Sequence, residues 1–295
     1  MDNNILKACN STLQNGNYII TGLLGQGGFG ITYEAEQVSL GRKVAIKEFF
    51  IKEYCERDCH TRMLVSSYGR RELIKFFRRK FLKEARLIAT LDNPHVVKVY
   101  DVFEENDTAY YAMEYLPGGS LKDKVFKEGP LLLEANVYIK QICSALSYIH
   151  SKNILHLDVN PSNILINNSG TVVITDFADS KHYDNTWDMT TKHTPLGINK
   201  YYSPIEMLAQ GTVNFNPSTD IYSLGATLYF LVTGVTPPAA LQVIESLVDG
   251  NDIIAGLLSE KGVSDNIISV ITRAMQPRQK DRPQSIAEFL SILDS

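Results

Sequence analysis

HLDVNPSNILI, residues 156–166, is the stretch on which the reading of this chain turns. It sets Asp158, Asn160 and Asn163 within six residues and runs directly into the apolar Ile164, Leu165 and Ile166. An aspartate followed five residues later by an asparagine suits phosphoryl transfer. The carboxylate accepts or orients a hydroxyl proton, and the amide oxygen helps to hold a metal on the phosphates. Asp, Asn, Pro and Ser also build ordinary turns, so the stretch takes its meaning from what surrounds it.

Upstream, 18–20 and 23–24 read as strand, followed by Gly25-Gln26-Gly27-Gly28-Phe29-Gly30, a second strand over 31–33, a turn over 39–42 and a third strand over 44–47. That is an antiparallel meander. Glycines let the backbone approach a polyanion and aim N–H groups at phosphate, although a flexible hairpin uses them too. A strand, not a helix, follows the turn, which sets aside the dinucleotide-binding fold. Residues 51–70 are polar and read as a loop. A helix is expected over 72–91, with Phe77, Phe81, Ala85 and Ile88 at helical spacing and Glu84 at the edge of that stripe. Its basic run, Arg70, Arg71, Lys75, Arg78, Arg79, Lys80, Lys83 and Arg86, reads as a solvated face, with an acidic partner docking on 70–86 as the alternative. Strands over 96–104 and 108–113 follow, and Pro117-Gly118-Gly119 breaks the pattern.

Downstream, a helix over 134–151 carries Val137, Ile142, Ala145, Leu146 and Ile149 as its expected buried side. A strand over 172–175 leads into Asp176-Phe177-Ala178. The chain then reads as loop to about 206 and mostly as helix from 217.

Composition narrows the function. With 295 residues, 44% hydrophobic content and net charge −4, the chain suits one large domain or two lobes sharing a cleft, not a general nucleic-acid or membrane-surface binder. The most apolar stretch, 221–235, is interrupted by Ser223, Gly225, Thr227 and Thr233, so no membrane span is expected. The first residues carry no basic-then-apolar leader, and four cysteines in this length suggest no disulfide framework; a cytoplasmic, reduced protein is expected. Cys55, Cys59 and His60 match no standard zinc spacing and read as a polar loop with incidental thiols.

Taken together, these motifs resemble a eukaryotic-type protein kinase of the bacterial Ser/Thr kind. The carriers are the glycine loop with Phe29 at its tip, Val44-Ala45-Ile46-Lys47, Glu84, His156-Leu157-Asp158 with Asn163, and Asp176-Phe177-Ala178. Ser203-Pro204-Ile205-Glu206, Asp220-Ile221-Tyr222-Ser223-Leu224-Gly225 and Arg282-Pro283 complete the series. The resemblance implies an α+β, bilobal fold: an N-terminal extension over 1–17, a β-rich lobe with one helix over 18–116 and a helical lobe over 117–295. It implies ATP and Mg²⁺ as substrate and cofactor, and a protein substrate. Backbone amides of Gln26, Gly27, Gly28, Phe29 and Gly30 would cover the β- and γ-phosphates, with Gly25 in the same nucleotide site, and Lys47, aligned by Glu84, would bind the α- and β-phosphates. Asn163 and Asp176 would hold Mg²⁺ while Asp158 handles the substrate proton. Leu24, Ala45 and Leu165 would enclose the adenine, with Met113 behind it and backbone groups of Glu114 and Leu116 reading its edge. Ile88, Val99, Phe177 and His156 would stack into one apolar column, and Arg282 would pair with Glu206.

The chain departs from this family at four places. Leu157 stands where an arginine usually anchors a loop phosphate, which implies activity independent of phosphorylation at Thr190, Thr191 or Thr194. Asn160 stands where a lysine usually offsets γ-phosphate charge, which implies slower transfer. Ala178 replaces a glycine and narrows the backbone range there. Near Ile198 or Asn199 the usual threonine is missing. The alternative these departures raise is a pseudokinase, a nucleotide-binding signalling scaffold.

Overall fold

The computed structural model describes residues 11–58, 64–66, 69–182, 199–208 and 215–295. Thr190, Thr191, Thr194 and Ile198, like Cys59 and His60, lie outside them. The chain divides into two compact units, one formed by Met1–Asp92 with Val97–Leu116 and the other by Asn93–Val96 with Pro117–Ser295.

The first unit is built on an antiparallel sheet. Its strands are β1 (Thr12–Leu13), β2 (Tyr18–Gln26), β3 (Gly30–Gln37), β4 (Arg42–Phe49), and, after a hairpin and a helix, β7 (Val99–Glu105) and β8 (Thr108–Glu114). The spatial order is β1-β2-β3-β4-β8-β7. Alternation drives this sheet: in β3, Ile31, Tyr33 and Ala35 are buried while Thr32 and Glu34 are only partly covered. The β7–β8 hairpin turns on Asn106 and Asp107, both at positive φ (52° and 55°), the geometry a two-residue turn requires. Expected to begin at 96, this strand begins at Val99; Val96 instead makes a parallel bridge to Ile174 in the second unit.

The stretch 51–70, read as loop, contains a hairpin, β5 (Cys55–Arg57) paired with β6 (Leu64–Ser66). Its alternation was hidden because one inward position is an arginine. Arg57 donates to Glu48 Oε1 at 2.6 Å, and that fully buried carboxylate also accepts from Tyr33 and Tyr110. Burial of a charge is tolerable when paired and hydrogen-bonded in this way. Helix α1 (Arg71–Ile88) follows and buries Ile74, Phe81, Leu82, Glu84, Ala85 and Ile88. Phe77, expected in that stripe, is half-buried and meets Phe29 of the glycine turn, ring centroids 5.3 Å apart.

The second unit is mainly helical. Helix α2 (Leu121–Glu128), not anticipated, starts at a capping box in which Ser120 and Asp123 satisfy each other's backbone N–H groups. Helix α3 (Ala135–Ser151) buries the stripe Tyr138, Ile142, Ala145 and Ile149, which leaves Val137 55% exposed on the outer face, contrary to expectation. Two short antiparallel pairings involve β9 (Ile154–Leu155), β10 (Ile164–Ile166), β11 (Val172–Ile174) and β12 (Lys181–His182); β10 pairs with β11 and β12 with β9. After a single turn, α4 (Ile205–Leu208), the centre of the unit is α5 (Pro217–Thr233), buried at every position from Ser218 to Thr233. Its start is fixed by Asn216 capping Ser218 and Pro217 in the first turn, and its end by Gly234 at φ 71°. Gly225 is required there: a Cβ would stand 2.6 Å from that of Ala274. Helices α6 (Ala240–Val248), α7 (Ile253–Glu260), α8 (Asp265–Ala274) and α9 (Ile286–Leu293) complete it. Among the described residues, no helix is long and apolar enough to cross a membrane.

The expected Arg282–Glu206 pair is formed, bidentate at 2.7 and 2.9 Å, with both side chains buried and the guanidinium over the Tyr222 ring. Arg282→Met should lower unfolding stability by about 3–5 kcal/mol, because Glu206 would remain buried without its cation. Urea or thermal unfolding of the whole chain measures this.

Candidate active site

In the first unit, Gly27 N–H donates to the Gly30 carbonyl at 2.8 Å and closes the glycine turn between β2 and β3. Gly30 must be glycine, since a Cβ would lie 2.8 Å from the Glu48 carbonyl and 3.5 Å from Lys47 Cε. At Gly25 and Gly28 a Cβ would meet nothing within 4 Å, so the backbone there is open to a large anion. Gln26 ends β2, opposite Ile31, and Phe29 is 42% exposed beside Phe77. Lys47 on β4 faces Glu84 on α1, Nζ to Oε1 4.0 Å, with both side chains largely withdrawn from solvent. The register pairs Ala45 with Met113 and Lys47 with Tyr111. Ala45, Met113 and Leu116 are buried, Glu114 is half-buried and Leu24 is 46% exposed. Ile88 is buried in this unit, and Val99 is partly exposed.

In the second unit, Asp158 is held by two carboxamides. Asn160 Nδ2 donates to its Oδ1 at 2.8 Å and Asn163 Nδ2 to its Oδ2 at 2.6 Å. Asn163 also donates to the Asp158 carbonyl, so its amide hydrogens face Asp158 and its Oδ1 is the oxygen it can offer a cation. Asn160 Oδ1 accepts from Ser162 N–H. Burial pushes the Asp158 carboxyl up to about 7, reinforced by the charges of Asp176 and Asp179 and opposed by the two asparagine donors. Asp179 was not anticipated as part of this cluster; the residues after Asp176-Phe177 were its only signal. Leu165, on β10, is half-buried.

The backbone of this segment is strained and braced. Leu157 and Asp176 are non-glycine residues at φ 64° and 61°. Asp220, fully buried on α5, accepts from the N–H groups of His156 and Leu157 at 2.9 and 2.8 Å and from His150 Nε2 at 2.8 Å. Burial would raise this carboxyl, yet these donors hold it below its ordinary value. His156, whose ring burial pushes down, contacts the Phe177 ring at 4.6 Å and the Thr175 carbonyl at 3.1 Å.

The departures take physical form here. The Leu157 side chain is buried with Leu155 and Met207 against Phe215, so an apolar cluster stands where a phosphate-anchoring cation would. Ala178 is not among the positive-φ residues, and its methyl group meets no conformational penalty; the unusual backbone belongs to Asp176. Asn199 accepts from Tyr202 and Ser203 N–H groups through its carbonyl and so organises the turn before α4.

Chemically, the second unit offers a hard-oxygen pair, the Asp176 carboxylate and Asn163 Oδ1, suited to Mg²⁺, beside a carboxylate oriented by amides. The first unit offers an open glycine backbone and a lysine next to a glutamate, suited to phosphates.

Comparison with known proteins agrees with this inventory. The family described as protein kinase domain matches residues 18–292. A probable serine/threonine-protein kinase, CPE1738, of Clostridium perfringens is 32% identical over 94% of this chain and 38% of its own length. The serine/threonine-protein kinase PrkC of Bacillus subtilis is 37% identical over 75% of this chain and 31% of its own. The chain therefore spans less than two-fifths of either relative. A solved structure described as "PpkA-294 apo form" superimposes with TM-score 0.79 at 28% identity, covering 98% of this chain and 99% of that one.

Proposed function

The chain belongs to the protein kinase domain family, and from that premise we propose that it transfers the γ-phosphate of ATP, with Mg²⁺, to Ser or Thr hydroxyls of a protein substrate. The observation that carries this reading is the double hold on Asp158, one asparagine amide on each carboxylate oxygen. A carboxylate so fixed keeps lone pairs aimed at an incoming hydroxyl, and positioning is most of what phosphoryl transfer asks of a protein.

In the step proposed, the hydroxyl oxygen bonds to the γ-phosphorus, the bond from that phosphorus to the ADP oxygen breaks, and the hydroxyl proton passes to Asp158. Asn163 and Asp176 would hold Mg²⁺, which when bound neutralises charge on the phosphates. Lys47 would bind the α- and β-phosphates, kept in place by Glu84, and the amides of residues 26–30 would cover the β- and γ-phosphates. Leu24, Ala45, Met113, Glu114, Leu116 and Leu165 are the residues assigned to the adenine. The serine/threonine preference rests on the names of the relatives. A cytoplasmic setting is part of the same proposal.

Asn160 sets the expected speed. Loss of one preorganised charge stabiliser costs about 100- to 1,000-fold, and here the residue keeps a donor but directs it at Asp158. Asn160→Lys should therefore raise single-turnover transfer by about tenfold or more. A pseudokinase scaffold predicts nucleotide-dependent thermal stabilisation with no transfer in either form. Quench-flow measurement with radiolabelled ATP on both proteins separates the two.

A further inference from the structure

Two exposed surfaces of this chain carry opposite net charge, and neither is used by the chemistry above. Helix α1 holds seven lysines and arginines against two carboxylates, net +5 in a chain of net −4. Glu84, Ile74, Phe81 and Ala85 turn inward, so the cations Arg71, Lys75, Arg79, Lys83 and Arg86 form one exposed line at steps of four, four, four and three. Over fifteen residues that line is about 22 Å long. Lys75 meets Glu72 at 2.9 Å; among the described residues Arg71, Arg79, Lys83 and Arg86 make no ion pair. Phe76, 40% exposed, borders the line.

The exposed acidic residues of the second unit run from α6 through α7 into α8. Glu245, Asp249, Asp252, Glu260 and Asp265 are all exposed, with Lys261 as the single cation of 240–265, net −4. Asp252 caps α7. Glu245, Asp249, Glu260 and Asp265 make no ion pair among the described residues. This surface also exposes Leu241 at 56% and Val248 at 81%, which share one helix face with Glu245 at spacings of four and three.

We propose that these two surfaces bind each other between copies of the chain: the cationic line of α1 in one copy docks on the Leu241-, Glu245- and Val248-bearing face of α6, with Asp249 at its end, in the next. The match lies in sign and in kind, since each face places apolar side chains among like charges. An extended anionic surface, a membrane or a nucleic acid, fits less well. Everything outside α1 sums to net −9 and would be repelled from it, whereas a narrow acidic protein face engages the line alone. The proposal is independent of catalysis.

Sedimentation velocity of the full chain tests it. The wild type should associate with rising concentration, and less so as salt increases. Arg79→Glu with Lys83→Glu, or Glu245→Arg with Asp249→Arg, should each weaken association by about tenfold or more. Mixing these two variants should restore it, since each then supplies the charge the other lacks. All four positions are exposed, so folding is checked simply by unchanged thermal unfolding. A wild type that stays monomeric at low salt overturns the proposal, as does association indifferent to both reversals or a mixture that fails to associate. Binding of α1 to anionic vesicles or single-stranded DNA by a monomeric wild type, lost in the α1 variant, would assign the line to that partner and overturn it equally.

Discussion

Asp158→Asn should cut phosphoryl transfer by about 100- to 10,000-fold, the range expected when a positioned proton acceptor is removed. The substitution keeps the size of the side chain, and its new amide group replaces an acceptor oxygen with a donor. One of the two bonds from Asn160 and Asn163, now 2.8 and 2.6 Å, would then place donor against donor. The variant thus loses both the base and the geometry that holds it. Nucleotide affinity should change little, because Lys47 and Glu84 belong to the first unit and keep their own contact. Transfer is read by radiolabel, affinity by the thermal shift with ATP and Mg²⁺. Transfer that survives the substitution removes Asp158 from the mechanism.

Lys47→Met should lower transfer by about 100- to 1,000-fold, the scale for losing one preorganised charge on a developing anion. Methionine keeps the length and apolar stem that Gly30 allows to pass, so β3 and β4 should remain paired. Glu84 would then lose the ammonium 4.0 Å away while staying buried. Double substitution with Glu84→Gln should therefore recover stability but not transfer. The cycle is measured by unfolding and by initial rates on the same four proteins.

How far the sequence spoke for itself depended on whether function or packing had chosen each residue. Lys47, Asp158, Asn163 and Asp176 stand out as candidates because phosphoryl-transfer chemistry would fix their type and order. The Glu206–Arg282 pair was legible from the family pattern. Arg57 was not: its charge signalled a loop, and only the buried Glu48 with its two tyrosines explains an arginine facing inward on β5. Helix α2 was missed although Ser120, Asp123 and Gly129 frame it, because eight residues give periodicity little room. Val137 misled by being apolar and one residue out of phase with Tyr138. At the site, sequence showed that Leu157 and Asn160 depart from the family but not what they do. Leu157 turns into an apolar cluster, and Asn160 turns toward Asp158.

On this reading the chain moves phosphate and does not merely hold nucleotide. Incubation of the whole chain, at high concentration, with γ-labelled ATP and Mg²⁺, followed by identification of the labelled amino acid, tests it most directly. Label on serine or threonine, absent in Asp158→Asn, is the result predicted here. Nucleotide-dependent stabilisation with no label on any residue would contradict it and leave a scaffold.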